Sequence, residues 1–112
     1  MKTIKVSEAT GVELDWLVAK CEGYKVAYLP ETADVVINDR GVTMYFDPCS
    51  EWSWGGPIIE REKISTEHSD KYGWITSKKG PCSIGPTPLI AAMRCYVASK
   101  LGETAEVPEE LV

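Results

Sequence analysis

The chain has 112 residues, 17 of them acidic and 12 basic, and its formal net charge is −5. This charge argues against a broad nucleic-acid surface, which needs clustered Lys and Arg to replace counterions, and against attraction to anionic membranes. The length predicts a single domain over residues 1–112, large enough to bury a core without disulfides or metals.

The N-terminal segment and the cysteines point to a cytoplasmic protein. The first ten residues, MKTIKVSEAT, lack the apolar run of a signal peptide, and no stretch of the chain approaches the length needed to span a bilayer. In a reducing compartment the four widely spaced cysteines are expected to be free thiols, two of them acting as small core residues in predicted helices.

A strand and a helix are predicted first. Alternating apolar residues over Lys2 to Val6 predict a short strand. Thr10-x-x-Glu13 has the form of a capping box and predicts a helix over about 10–22, which ends at Gly23. The core face of this helix is expected to carry Leu14, Leu17, Val18 and Cys21.

The same helix carries a second apolar patch, formed by Val12, Trp16 and Ala19. A helix with two apolar faces needs two partners. Two interpretations are open at this point: another part of the chain covers Trp16, or the patch is an interface between subunits.

Strand patterns dominate the middle of the chain. Strands are predicted at Tyr24 to Leu29, Asp34 to Asn38, Val42 to Phe46, Ile58 to Ile64 and Tyr72 to Ser77. Because the connections among the first three are too short for crossover helices, antiparallel pairing is expected. Loops or turns are predicted at Asp47 to Gly56, Ser65 to Lys71 and Lys78 to Pro81.

The segment GPTPLIAAMRCYVASKLG predicts the central core helix, over about 88–101. Thr87 is a good N-cap, Pro88 suits the first helical position, and Gly102 suits the position just after the end. Large apolar residues share one face of this helix. Small ones lie opposite, where another backbone could come close: Ala91, Cys95 and Ala98.

After this helix comes an acidic segment in which Val107 and Leu111 could dock onto the core. The order of elements indicates an α+β fold, in which a single antiparallel sheet of about four to five strands is covered by the two helices, 10–22 and 88–101.

Three blocks of the sequence resemble the NinX-like family of small phage proteins: TGVELDWLVAKCEG, YFDPCSEWSWGGPIIERE, and TPLIAAMRCYVASKLG followed by VPEEL. The resemblance implies a phage or prophage accessory protein that acts in the host cytoplasm. It carries over no activity and no catalytic residue. Ser53 and Trp54 depart from the W-A-Q-G-G form associated with the family, so ligand contacts of Trp54 would differ among its members.

Catalytic and metal-binding patterns are weak. A dyad of His68 with Cys49 or Cys82 would need a polar loop folded over the core, and Glu60 with Glu62 on one side of a strand is more typical of a solvated face. One histidine and scattered cysteines give no zinc spacing. We therefore expect no enzyme, no metal and no cofactor.

Ligand binding is the stronger hypothesis. Arg94 is the one charged residue inside the central helix, and a buried Arg must meet an anion, either an internal carboxylate such as Asp47 or Glu60 or a ligand. A helix N-terminus suits phosphate, and indole rings offer stacking surfaces. The candidate ligand-binding residues are Trp52, Trp54, Gly55, Gly56, Arg61, Trp74, Thr87 and Arg94.

These features predict a non-enzymatic accessory protein that binds a small, nucleotide-like ligand and sequesters a nucleotide signal of bacterial immunity. The alternative is a protein–protein adaptor that modulates a host or phage enzyme through a Trp52–Trp54 loop. The first interpretation would suit a homo-oligomer that uses the Trp16 face as its contact.

Overall fold

Three α-helices and eight short strands make up the α+β fold of residues 1–78 and 82–111, which are the residues that the computed structural model describes. The helices are α1, Gly11–Glu22; α2, Trp52–Glu62; and α3, Pro88–Leu101. The strands are β1, Lys2–Lys5; β2, Lys25–Leu29; β3, Asp34–Asp39; β4, Val42–Tyr45; β5, Ser65–Ser69; β6, Gly73–Ser77; β7, Cys82–Gly85; and β8, Thr104–Val107. Within these ranges we find no helix with the length and apolar character that a bilayer crossing requires.

The strands form three small antiparallel sheets, so the prediction of a single sheet of four to five strands is wrong. One sheet pairs β1 with β8, a second has the order β2-β3-β4, and a third has the order β5-β6-β7. The antiparallel pairing itself is confirmed. Each hairpin depends on its own local turn. A turn does not determine whether the strands of one hairpin pair with the strands of the next.

The turn between β3 and β4 shows how tightly a hairpin is specified locally. Arg40 and Gly41 have φ values of 55° and 83°, as a two-residue type I′ turn requires. The Asn38 side chain accepts a hydrogen bond from the Gly41 N–H at 3.2 Å. The hairpin register is thereby fixed, with Asp39 opposite Val42.

Helix α3 is the centre of the core, as predicted. Thr87 caps it by accepting a hydrogen bond from the Ile90 N–H at 3.1 Å, and Gly102 follows it with φ 89°. The helix packs against α1, α2, and strands of the first and third sheets. Its buried residues are Leu89, Ala91, Ala92, Met93, Cys95, Tyr96 and Val97.

The small face of α3 receives a backbone, as its residue sizes predicted. A Cβ on Gly85 of β7 would lie 2.8 Å from the Ala91 nitrogen, so only glycine allows this approach. Thr76 of β6 is fully buried beneath the same face, and its hydroxyl donates a hydrogen bond to the Ala91 carbonyl oxygen at 2.8 Å. The third sheet is thus held directly on α3.

Helix α1 has its predicted bounds within a residue. The Glu13 carboxylate accepts a hydrogen bond from the Thr10 N–H at 3.2 Å, and Gly23 ends the helix with φ 82°. Trp16 is only 8% exposed, and it lines the same groove as Ala105 of β8. Two interpretations of the Trp16 patch were open. For the indole the first one is correct, because other parts of the same chain cover it.

Helix α2 replaces a predicted loop and a predicted strand. Residues 52–56 were expected to be loop and residues 58–64 a strand, because Gly-Gly-Pro is unfavourable in a helix and the charges after Ile58 alternate. Pro57 removes one helical hydrogen bond, since it has no N–H for the Ser53 carbonyl. Gly55 and Ile58 are the buried residues of this helix.

Two further differences lie in segments expected to be irregular. Residues 65–71 were predicted to be loop, but Ser65–Ser69 form β5 and pair with β6, whose residues 73–77 were a predicted strand.

The predicted acidic tail contains β8, in which Val107 is fully buried, and Leu111 beyond it is 8% exposed. The docking of these two side chains is confirmed. The turn predicted over 78–81 extends outside the described residues.

Candidate functional site

A cleft of about 360 Å³ lies between the segment leading into α2 and the first turn of α3. We call it the Trp52 cleft. Its volume is within the range of small-ligand pockets. It is lined by Cys49, Ser50, Trp52, Thr87, Pro88, Leu89 and Ile90.

Gly55 brings the two walls of the Trp52 cleft together. A Cβ at this position would lie 2.5 Å from the Leu89 side chain and 2.6 Å from the Pro48 carbonyl oxygen. The absence of a side chain lets the start of α2 contact the start of α3 closely. Gly56 has no such role, because a Cβ there would meet only the Trp52 ring, at 3.8 Å.

Trp52 is the exposed aromatic residue of the cleft, with 55% of its surface accessible. It precedes the buried face of α2, and Pro88, Leu89 and Ile90 supply an apolar wall of the same cleft. Trp52 and Thr87 are the two predicted ligand-binding residues that the structure brings together in its lining.

The first turn of α3 offers less to an anion than the sequence suggested. Pro88 has no N–H, the Ile90 N–H donates to the Thr87 hydroxyl, and the Ala91 N–H donates to the Thr87 carbonyl. Within the described residues, Leu89 therefore provides the remaining donor of this turn. None of the described residues that line the cleft is basic.

A buried carboxylate binds the backbone of Cys49, one of the residues that line the cleft. Asp15 of α1 is 7% exposed, and its Oδ1 accepts a hydrogen bond from the Cys49 N–H at 3.0 Å. Burial raises the pKa of Asp15 to about 6, with hydrogen bonds from Cys49 opposing the rise and Asp47 adding to it. Burial, with the nearby Asp15, also raises the pKa of the Cys49 thiol well above its usual value.

Sequence reasoning missed Asp15, although a signal was present. Its neighbours three residues before, three after and four after are Val12, Val18 and Ala19. These positions share its side of the helix, so an acid there faces apolar surroundings. Asp15, Asp34 and Asp47 also line a second cavity, of about 230 Å³.

Trp54 is half-buried and packs against the core. Its ring meets Phe46 edge-on at a centroid distance of 5.0 Å, and Phe46 meets Tyr24 in the same way at 5.5 Å. Trp74 likewise lies in the third sheet, with its ring 5.1 Å from that of His68. Neither indole lines the Trp52 cleft.

Arg61 belongs to a network of charges at the far end of α2. Its guanidinium donates to both carboxylate oxygens of Glu22, at 3.0 and 2.7 Å, and to Glu62 at 2.8 Å. The Tyr96 hydroxyl donates to Glu22 at 2.5 Å, and Lys78 donates to Glu62 at 2.6 Å. The hydrogen bonds with the two carboxylates raise the pKa of Arg61 further above its normally high value.

The two carboxylates respond to the same network. Burial raises the pKa of Glu22, but hydrogen bonds from Arg61 and Tyr96 outweigh that effect, so the net pKa is below the usual 4.5. Hydrogen bonds from Lys78 and Arg61 lower the pKa of Glu62 to about 2. The charges of the network therefore balance internally, with no ligand required.

Arg94 meets backbone carbonyls and not the predicted carboxylates. Its Nε donates to the Ala9 carbonyl at 2.8 Å and its Nη1 to the Ile84 carbonyl at 2.9 Å. Partial burial lowers the pKa of Arg94, and no ion pair with Asp47 or Glu60 occurs in the described ranges. Arg94 thus ties α3 to the segment before α1 and to β7.

The catalytic pairs weighed from the sequence do not assemble. Cys49 is buried beside Asp15, whereas His68 lies on β5 and approaches Asp70 at 3.9 Å. The side chain of Cys82 is outside the described atoms. Glu60 and Glu62 are two positions apart on a helix, not a strand, so they do not share a face. Among the described residues, no group of three acidic, His or Cys side chains is arranged to hold a metal ion.

Comparison with known proteins gives one family. The family model described as bacteriophage P22, NinX, matches residues 5–100, which is most of the chain. No curated protein matches the sequence. The matched region includes every residue that lines the Trp52 cleft.

Proposed function

This chain belongs to the bacteriophage P22 NinX family, and we propose that it is a non-enzymatic accessory protein that captures a small ligand in the Trp52 cleft. The single observation that carries this proposal is an indole with 55% exposure beside a cleft of about 360 Å³. The site of action would be the cytoplasm of the infected host.

The ligand chemistry follows from the cleft lining. A flat heterocycle stacked on an indole gains about 1–3 kcal/mol, and the apolar side chains of Pro88, Leu89 and Ile90 would remove the other parts of the ring from water. A nucleobase has these properties. We therefore propose a nucleotide-like ligand whose base enters the cleft, in keeping with sequestration of a nucleotide immune signal.

The phosphate of such a ligand would lie outside the cleft. The lining carries no basic residue among those described, and the Leu89 N–H is the donor of the first turn of α3 that remains for an anion. Binding would therefore depend on the base more than on the number of phosphates.

Isothermal titration tests this proposal with a panel of cyclic ADP-ribose, linear ADP-ribose and cyclic oligonucleotides. We expect heat with at least one of them, and we expect Trp52→Ala to raise its Kd about tenfold, since the stacking energy is lost. Tyr72→Ala is the matched control, because Tyr72 is 53% exposed but does not line the cleft.

Two outcomes would overturn the proposal. No heat with any compound, from a sample shown to be folded by circular dichroism, removes the nucleotide ligand. If Trp52→Ala and Tyr72→Ala change the heat of binding equally, the cleft is not the binding site.

The second candidate function is a protein–protein adaptor, since the exposed indole and the apolar, uncharged lining of the cleft would also suit an apolar side chain of a partner protein. The contact would use the exposed indole at the start of α2, since the predicted Trp52–Trp54 loop is helical and Trp54 packs on Phe46. A partner recovered from infected cells with the wild-type chain and with Tyr72→Ala, but not with Trp52→Ala, would support the adaptor.

A further inference from the structure

A groove of about 430 Å³ lies on a face that does not include the Trp52 cleft, between α1 and β8. We call it the Trp16 groove. Trp16 and Ala105 lie in its lining and are each 8% exposed. Its accessible lining is mostly apolar, as is usual for a surface that is covered in the functional state of a protein.

Two exposed apolar side chains line the same groove. Leu101, at the end of α3, is 47% exposed, and Met1 is 67% exposed. An exposed apolar side chain and a recess therefore belong to one patch. A twofold axis requires this arrangement, because the same patch must serve both copies and each must supply what the other receives.

The charges of the groove are also self-complementary. Lys20 of α1 and Glu106 of β8 both line it, and neither forms an ion pair with a described residue of its own chain. Lys20 lies over the Trp16 ring, with its Nζ 5.6 Å from the ring centroid. Since each copy carries a net charge of −5, association of two copies needs local pairing of opposite charges such as this one.

We propose that a second copy of this chain closes the Trp16 groove, with Leu101 of each copy inserted into the groove of the other. Lys20 of each copy then forms an ion pair with Glu106 of the other copy, so the twofold axis gives two such pairs. This dimer is independent of the proposed ligand, because the Trp16 groove and the Trp52 cleft share no lining residue.

Sedimentation velocity over a wide concentration range tests the dimer. We expect a reversible monomer–dimer equilibrium that Leu101→Asp weakens at least about tenfold, since a buried leucine is replaced by a charge. Ile84→Asp is the matched control, because Ile84 is also 47% exposed and does not line the groove. A monomer at all concentrations, or a dimer that both variants affect equally, overturns the proposal.

A charge exchange gives a second test that does not depend on an apolar residue. Lys20→Glu and Glu106→Lys should each weaken the dimer, because each variant places like charges together. The double variant should restore it, because the opposite charges are then paired again. A double variant as weak as the single ones contradicts the proposed pairing.

Discussion

At the scale of single residues, Asp15 is the most informative side chain. It is 7% exposed, and its pKa is raised to about 6, mainly by burial. An acid with a raised pKa in the folded state binds its proton more tightly there than in the unfolded chain. Between about pH 4 and pH 6 the free energy of unfolding therefore falls as pH rises, and the loss is complete above about pH 6.

We expect Asp15→Asn to remove this pH-dependent loss of stability. The amide oxygen can still accept the Cys49 N–H, and no charge needs to be buried at neutral pH. The variant should be about 1–3 kcal/mol more stable than the wild type at pH 7.5 and nearly equal to it at pH 4. Urea unfolding at a series of pH values checks this prediction, and an equal difference at both pH values would contradict it.

Glu62 should behave in the opposite way. Hydrogen bonds from Lys78 and Arg61 lower its pKa to about 2, so its contribution to stability is present above about pH 4.5 and is lost as pH falls towards 2. Glu62→Gln should therefore destabilise the protein at pH 7 and less so at pH 4. The same series of urea unfolding curves measures it. A Glu62→Gln effect that does not change with pH would argue against the network.

Local sequence specified the caps, but not the partners of long side chains. Thr87, Gly23 and Gly102 are placed correctly because a cap depends on a few neighbouring residues. The predicted carboxylate partner of Arg94 is wrong, and Trp54 packs inwards, because these contacts join residues far apart in the chain.

At the scale of elements, the crossing of α2 and α3 controls the Trp52 cleft. The prediction of a loop and a strand failed there because Gly55, Gly56 and Pro57 are poor helix formers, and close packing on Leu89 outweighs that preference. The spacing of Trp54, Ile58 and Ile59 was a helical signal, but the alternating charges that follow favoured a strand.

Neighbouring glycines in α2 offer a matched pair of substitutions. Gly55→Ala should cost about 1–3 kcal/mol and weaken ligand binding, because its Cβ forces α2 away from Leu89 and Pro48. Gly56→Ala should stabilise the protein by about 0.5–1 kcal/mol, since it meets only an ordinary contact and removes backbone freedom. Thermal unfolding and titration of both variants check this. Equal effects of the two substitutions would contradict the close contact between α2 and α3.

The network at the other end of α2 is expected to serve stability only. Tyr96→Phe removes the hydroxyl that donates to Glu22 and should cost about 1–2 kcal/mol in urea unfolding. Ligand affinity should not change, because neither residue lines the Trp52 cleft. A loss of affinity at unchanged stability would mean that the ligand site extends to this network.

At the scale of the whole molecule, α3 contacts strands of the first and third sheets, and α1 packs between α3 and the second sheet. The sequence predicted that helix and several of the hairpin strands, because both depend on nearby residues. It did not predict that β1 pairs with β8, since that pairing joins Lys2 to Val107. A contact between residues so far apart has no local signature.

The pairing of β1 with β8 should make the C-terminal segment essential for stability. Val107 is fully buried, so we expect Val107→Asn to cost more than about 2 kcal/mol in urea unfolding. Glu106→Gln, on the exposed side of the same strand, should stay within about 0.5 kcal/mol when measured on dilute protein. Similar costs for the two would contradict the register of this sheet.

The same pairing has a consequence for synthesis on the ribosome. The hairpins of the second sheet can close while translation continues, because their strands follow one another. Of the described strands, β1 leaves the exit tunnel first and its partner β8 leaves last. β1 therefore stays without its partner until residues 104–107 emerge, so the first sheet cannot form before β8 has been made.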